Sequence, residues 1–472
     1  MANIRKFATL ALATLAVTAT QAQTVTVDKT GITAGSYTSI ADALASSASE
    51  IVVKNTGVYN EGVLITRSVI VRGEDPNNRP VIAMKGLTTQ PALGPGDGVF
   101  IGGDGNTTND LDITFRDFIL IPATSGGPTD DCMSVTPNPG ALLKLNLTNV
   151  LCAPNDGSDK PLATSVWDNP DFNAPGVVRI PDDGIYLMDD QFSGFAGDIQ
   201  ATIKDVTFVG VGGSNAGGDA FVLYPGRLGR ASLTLSGLGA SYSSRYATQT
   251  STISNLTVSG TRSNPGWVAR KNGVGLIFFA AGDVTLDHVV ATDNNDCGMR
   301  IDADSNKSLT MTNSFFAHNK FQGITIPYAP DAPKTFSISD TTFYNNDAGN
   351  NDIYSLELGA DGTADLTVNV TDCIFAGSDS EAIQNKGAAN VTAKNCAFVT
   401  AGPDALPGTV SNVTEIASVN ADPQFVNTNT NPLSPTSFDV QNTAYATASS
   451  TGGRLNGWGD GPGSAVRDWS VY

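Results

Sequence analysis

Two acidic doublets, Asp130-Asp131 and Asp182-Asp183, stand directly before short apolar runs, CMSV and GIYL. Carboxylates placed this way have two chemistries open to them. They can gather a hard divalent cation such as calcium, which takes several carboxylate and carbonyl oxygens. They can also serve as acid and base on a glycosidic bond. The cations suggest a third chemistry. Arg270 and Lys271 adjoin one another near Trp267, and Arg300 lies inside the run CGMRI. A Lys or Arg beside a neutralised uronate carboxylate can take a proton in a β-elimination, because a nearby cation lowers the pKa of the base. Tyr186, Tyr224 and Trp267 offer flat faces on which sugars stack, and Glu357 offers a polar contact. The catalytic candidates are therefore Arg300, Lys271 and Arg270. The substrate-binding candidates are Tyr186, Trp267, Tyr224 and Glu357. The calcium candidates are Asp130, Asp131, Asp182 and Asp183. The competing reading is structural. An Asp before the apolar run recurs at Asp97, Asp131, Asp183 and Asp219, as turn formers do. The cations also fit as solvated surface residues.

Such groups need a scaffold that brings distant segments together, and the chain repeats in a way that supplies one. Alternating segments end in Asn, Asp or His at Asp117, Asn149, Asp205, Asn255, His288, Asn313, Asp340, Asp372 and Asn395. The last six of these are 23 to 33 residues apart, and the two wide gaps before them fit double turns or long loops. Each segment is followed by a second short strand: DGVFI, DCMSV, DGIYL, DAFVL, GLIF, CGMRI, QGITI, SLEL and AIQN. No single repeat can bury its apolar side alone. Stacking repeats in register buries it and pairs the backbone with neighbours above and below. The expected fold is all-β, a right-handed parallel β-helix with a short N-terminal capping helix. The cap is expected at Thr38 to Ala48, where Ser39 precedes Asp42 by three residues as in a capping box. Aligning the second strands predicts an outward column: Phe100, Ser134, Tyr186, Val222, Ile277, Arg300, Thr325, Glu357 and Gln384. Ile185, Met299 and Leu356 then point inward, because side chains alternate along a strand. The insertions around Ala153 to Arg179 and Tyr224 to Thr250 are where a ligand groove is expected.

Residues 1–22 carry Arg5 and Lys6, then the apolar run Phe7 to Val17 and a small-residue cleavage site, which reads as a secretory signal peptide. Residues 23–425 read as the coil with its cap, and 426–472 as the final coil and tail. With 27 Lys and Arg against 46 Asp and Glu, the formal net charge is −19. That excludes nucleic acid as a natural partner, since phosphate binding needs basic patches, and suits cation binding. The other apolar runs are too short to span a membrane. Export places the five cysteines in an oxidising compartment. Cys373 and Cys396 follow column residues Asp372 and Asn395, which predicts a stacked, bonded pair. Cys132–Cys152 is a second expected bridge, leaving Cys297 as a thiol.

The segment Tyr37 to Ile82 resembles the entry of the pectin lyase-like superfamily, through Ile40, Ala43, Leu44, Gly57, Tyr59, Glu61, Gly73 and Pro80. Ala421 to Asn427 and Ser437 to Ala446 look like the final coil of its bacterial members. The resemblance implies a right-handed β-helix and, among pectate lyases, pectinesterases, polygalacturonases and alginate-type lyases, action on acidic polysaccharide. The superfold also hosts non-enzymes. TDDCMSV looks like the acidic motif of the polygalacturonase-like hydrolases, with PDDGIYL as a second candidate. However, His288 and His318 are the only histidines, and neither is flanked by glycine as that family's motif requires. The pectinesterase catalytic segments have no match. The function expected is binding of an extracellular acidic polysaccharide, with cleavage by β-elimination; the alternative is a non-catalytic surface or structural protein.

Overall fold

One coil shows how the sequence makes the fold. Ile324–Ile326 is a strand in a ten-stranded sheet. Further along the chain, Lys334–Ser339 runs as a long arm in a second, larger sheet. Asp340 then turns the chain with φ 48°, and Thr342–Tyr344 follows as a short arm of the same sheet. The chain returns at Leu356–Leu358, which lies parallel to the starting strand with Ile324 opposite Leu356. The same turn is made at Asp117, Asn149, Asn313, Asp372 and Asn395, all with positive φ. Asn and Asp tolerate that left-handed conformation better than other side chains with a Cβ. This is the physical reason for the Asn/Asp column in the sequence.

The computed structural model describes residues 23–89, 96–104, 107–138, 141–162, 175–178, 182–189, 198–210, 221–225, 230–235, 239–243, 251–254, 257–259, 275–278, 283–287, 289–292, 294, 296–301, 308–326, 333–346, 355–358, 366–377, 382–385, 389–399 and 413–416. Residues 1–22, and the final coil and tail from 417 onward, lie outside this description, as does the C-terminal end of the coil as bounded in the sequence. Among the described residues no helix is long and apolar enough to cross a membrane.

The ten-stranded sheet contains, in chain order, Val63–Ile65, Val99–Gly102, Met133–Thr136, Ile185–Asp189, Phe221–Pro225, Leu276–Phe278, Met299–Ile301, Ile324–Ile326, Leu356–Leu358 and Ile383–Asn385. Each pairs in parallel with the next. The parallel order of the larger sheet is interrupted at Gly239–Ser243, within the second insertion. That strand runs antiparallel to Arg230–Leu235, Ser251–Ser254 and Asp283–Asp287.

Inside the coil, like sits on like. Phe316, Phe343, Phe375 and Phe398 stack along the axis with ring centroids 5.5, 4.7 and 5.3 Å apart. Offset stacking of this kind adds about 0.5–1.5 kcal/mol per pair beyond the area buried. Asn294, Asn319 and Asn346 form a buried amide ladder, each side-chain N–H donating to the next Oδ1 at 2.7 Å. Glycine precedes many second strands because the coils approach closely there. A Cβ on Gly298 would lie 2.7 Å from the Gly323 carbonyl oxygen.

The cap is a helix at Ile40–Leu44, shorter than the sequence suggested, with Ile40 and Ala43 buried. Ser39 Oγ accepts the Asp42 N–H at 3.0 Å. Glu61 accepts the N–H groups of Ile40 and Ala41 at 3.0 and 2.9 Å, which gives Glu61 a capping role.

Cys132 and Cys152 are bonded and tie the ten-stranded sheet to the long strand Leu142–Cys152 of the larger one. The expected bond between Cys373 and Cys396 is absent, although the register behind it is correct. Asp372 N–H donates to the Lys394 carbonyl and Ala397 N–H to that of Cys373. Both cysteines are buried thiols, directed at the Ile338 and Val370 carbonyls respectively. Side chains in register on parallel neighbours point the same way. Their Cβ atoms therefore stay about a strand spacing, ~4.8 Å, apart, whereas a disulfide brings them to about 3.8 Å. Cys297 is also a buried thiol.

Candidate functional site

The residues that lead into several strands of the ten-stranded sheet form one line of acidic groups among the described residues. At three successive levels it carries Asp97, then Asp130 and Asp131, then Asp182 and Asp183. Backbone geometry makes these aspartates a ladder. The Asp131 N–H donates to Asp97 Oδ1 at 3.3 Å, and the Asp183 N–H donates to Asp131 Oδ1 at 3.1 Å. Ser134 Oγ donates to the other Asp131 oxygen at 3.1 Å. A carboxylate is the natural acceptor for the backbone N–H one coil on, so repetition selects Asp here.

One oxygen each from Asp97, Asp130 and Asp131 lies within 4.8 Å of the others. Two full charges at that separation repel by about 3 kcal/mol at an effective dielectric constant near 20. The cluster relieves this with protons. Burial pushes the Asp131 carboxyl well above the usual carboxylate range, and the charges of Asp97, Asp130 and Asp182 add to the effect. Asp182 is pushed up to about 6, first by burial, then by the charge of Asp130 and a hydrogen bond shared with it. Asp182, so placed, can release a proton near neutrality, and the cluster can exchange protons for a cation. The oxygens suit calcium, a hard ion. Because Asp131 already accepts backbone and hydroxyl hydrogens, calcium here would complete its shell with oxygens from water or a ligand.

Further along the same turn line an acidic group is followed by a cation. Asp296 occupies the position of Asp130 and Asp182, three strands beyond Asp182. Lys320 and Phe321 come one strand later, where the Lys320 N–H donates to the Asn294 carbonyl and the Phe321 N–H to that of Asp296. Burial raises the Asp296 carboxyl, against the pull of the Cys297 N–H and the charges of Arg300 and Lys320. Lys320 is exposed, with Nζ 5.5 Å from the Phe321 ring centroid. Gln322 Nε2 donates to Glu357 Oε2 across one coil.

The outward column has the register expected from sequence. Phe100, Ser134, Tyr186, Val222, Ile277, Arg300, Thr325, Glu357 and Gln384 are opposite one another in series. Ile185, Met299 and Leu356 are fully buried inside. Tyr186, Arg300 and Glu357 are half-buried, while Phe100 and Ser134 are covered completely. Thus Asp130, Asp131 and Asp182 come together, Asp97, counted from sequence only as a turn former, joins them, and Asp183 is tied to Asp131 through its backbone N–H. Arg300 and Glu357 share one sheet face but not that cluster. Tyr224 is placed in its strand opposite Met188, and its side chain lies outside the described residues. Trp267, Arg270 and Lys271 also lie outside them, so the expected basic trio is represented by Arg300. The sequence reading had Asp296 only as the end of an acidic turn, Asp293 to Asp296, and gave no role to Lys320 or Gln322. Aligning the turns as well as the strands would have found them.

The family model described as "Right handed beta helix region" matches residues 194–363. This is a right-handed parallel β-helix. The fold implied by the resemblance to the pectin lyase-like superfamily is the fold observed. The β-helix is similar to the A-module of the mannuronan C-5 epimerase AlgE4 of Azotobacter vinelandii. Identity is 13%, coverage 84% of this chain and 78% of that one, and the TM-score 0.35. It is also similar to tailspike protein 3 of bacteriophage CBA120, at 14% identity, 80% and 57% coverage, and a TM-score of 0.32. Neither likeness is close enough to carry a site across. No curated protein matches the β-helix.

Proposed function

We propose that this protein is exported and binds an extracellular acidic polysaccharide along the outward face of the ten-stranded sheet. The observation that carries the reading is the line of half-buried Tyr186, Arg300 and Glu357 on one face, flanked by a turn line that holds the aspartate cluster. Rigid strands hold these groups in one line, with Val222 and Ile277 between Tyr186 and Arg300 and Thr325 between Arg300 and Glu357. Calcium in the cluster would supply positive charge to bridge the aspartates and a sugar carboxylate, with Asp97, Asp130, Asp131 and Asp182 as its holders.

Cleavage by β-elimination assigns Arg300 the role of base. Arg300, as the neutral guanidine, takes the proton from the carbon beside the uronate carboxylate, the electron pair left behind forms the double bond as the glycosidic C–O bond breaks, and the departing oxygen takes a proton from water. That step needs the carboxylate neutralised close to Arg300. The cation whose charge acts on Asp296 alongside Arg300 is Lys320, whereas the calcium candidates lie three strand spacings away, roughly 14 Å. This separation favours binding without cleavage as the second reading. A panel of polyuronates assayed for the ultraviolet absorbance of unsaturated products decides between them. Product formation that is lost in Arg300→Ala supports the lyase. Binding without absorbance change supports the non-catalytic form, and neither binding nor product overturns the proposal.

A further inference from the structure

The long and short arms of the larger sheet differ in how their outer sides are finished. On the long arms the inward residues are apolar, such as Phe336, Ile338 and Val368, and the outward ones are polar, with Thr310, Thr335, Asn390 and Lys394 exposed. The short arms of the same coils are buried on both sides. Phe316, Phe343, Phe375 and Phe398 fill the inside. On the outside, in register, stand Phe315, Ala317, Thr342, Ile374, Ala376 and Ala397, none more than 4% exposed. A strand that is apolar and dry on both sides lies between two layers, whereas the outer side of a single layer faces water, as the long arms do. Thr342 Oγ1 lies buried in this strip with no hydrogen-bond partner among the described residues, and a buried hydroxyl is normally bonded. Nearer the N-terminus such a covering layer is seen. Leu162, from the first insertion, packs on Leu151 and Ala153, on the outer side at the end of the strand Leu142–Cys152.

The path of the chain brings a covering segment to the strip. Each long arm is followed closely by its short arm: Lys334–Ser339 by Thr342–Tyr344, Leu366–Thr371 by Ile374–Ala376, and Asn390–Lys394 by Ala397–Val399. Val413–Ile416, the last described strand, is in register with Asn390–Lys394. The chain beyond Ile416 therefore leaves the coil toward the short-arm side, one level past Ala397–Val399. From Phe315–Ala317 to Ala397–Val399 is three strand spacings, roughly 14 Å, which about five residues of extended chain cover. Residues 428–472 are ample for that. They include SFDVQ at 437–441, where Phe438 and Val440 alternate with Ser437, Asp439 and Gln441. Such alternation gives an extended segment one apolar side and one polar side. We propose that residues 428–472 fold back along the outer side of the short arms, with Phe438 and Val440 on the strip formed by Phe315, Ala317, Thr342 and Ile374. Backbone groups of that segment then serve the Thr342 hydroxyl, and the short-arm side of the rod is closed to ligands.

Photo-crosslinking of the full chain tests this, with p-benzoylphenylalanine in place of Tyr344, which is half-buried at the edge of the strip. After irradiation and digestion the label should be joined to a peptide from residues 428–472. The same label in place of Thr335, exposed on the long arm, should not be. A Tyr344 label joined to another segment, to a second copy of the chain or to nothing overturns the proposal. A protease site placed after Asn427 lets the folded full chain be cut once. The fragment should stay with the coil in gel filtration, Tyr344→Asp should release it, and Tyr344→Phe should retain it. A fragment that leaves the parent coil on cutting also overturns the proposal. So does one that Tyr344→Asp holds as tightly as the parent while the coil keeps its circular dichroism. Where Tyr344→Asp does not fold, the label decides.

Discussion

Asp183 donates its backbone N–H to the side chain of Asp131 one coil below, at 3.1 Å, and both residues are buried. This bond is the middle of a ladder that starts at Asp97, and it couples the folding of three coils to the protonation of one cluster. The same aspartates thus hold the turns together and create the chemistry proposed for them.

Replacing Asp131 separates these two roles. Asp131→Ala leaves the buried Asp183 N–H without its acceptor and is expected to cost about 1–3 kcal/mol. Asp131→Asn keeps an acceptor oxygen for the Asp183 N–H and adds no charge to the neighbouring carboxylates, so it should lose less stability than Asp131→Ala. Urea denaturation of both variants measures the difference. Equal losses in the two would mean that the ladder bond does not contribute.

The cluster also sets a pH dependence. Asp182 has an ordinary value of 3.8 and is pushed up to about 6 in the folded chain. The folded state therefore binds the proton more tightly than the unfolded state, and stability falls as pH rises through that interval. Its contribution is complete below 3.8 and lost above about 6. In metal-free buffer the melting temperature should decline between pH 4 and 7, and Asp182→Asn should flatten the decline. A profile identical in parent and variant would show that Asp182 does not titrate there.

Calcium should reverse that decline. A ligand that binds only the native state stabilises it, by about 1.4 kcal/mol for each tenfold excess over its Kd. Millimolar calcium is expected to raise the melting temperature at pH 7 and to do so less at pH 5, where protons compete at Asp182. Asp130→Asn should blunt the effect. No shift at either pH would leave the cluster as a set of turn formers.

The cysteines give a chemical test of the core. Peptide mapping of unreduced protein should recover Cys132 linked to Cys152, with Cys373 and Cys396 as thiols that label only after unfolding. Breaking the bridge with Cys152→Ser should cost about 3 kcal/mol, as expected for a loop of this length. Linked peptides carrying Cys373 and Cys396 would contradict the parallel arrangement of their side chains.

Sequence by itself determined the coil. Alternation fixed which side of each strand faces inward, and the column from Phe100 to Gln384 followed from aligning strands alone. It could do so because a one-residue slip would expose every buried side chain. The Asn and Asp at the turns were legible for a similar reason: few other residues accept positive φ there. What sequence could not decide was how side chains at neighbouring turns meet. The order of the coils places Asp97 below Asp131, but that oxygens of Asp97, Asp130 and Asp131 converge within 4.8 Å depends on turn geometry and side-chain direction, which strand alternation does not encode. The thiols of Cys373 and Cys396 make the same point in reverse. Their adjacency was readable, but the direction of their Cβ atoms was not, since parallel neighbours in register bring side chains close without turning them toward each other.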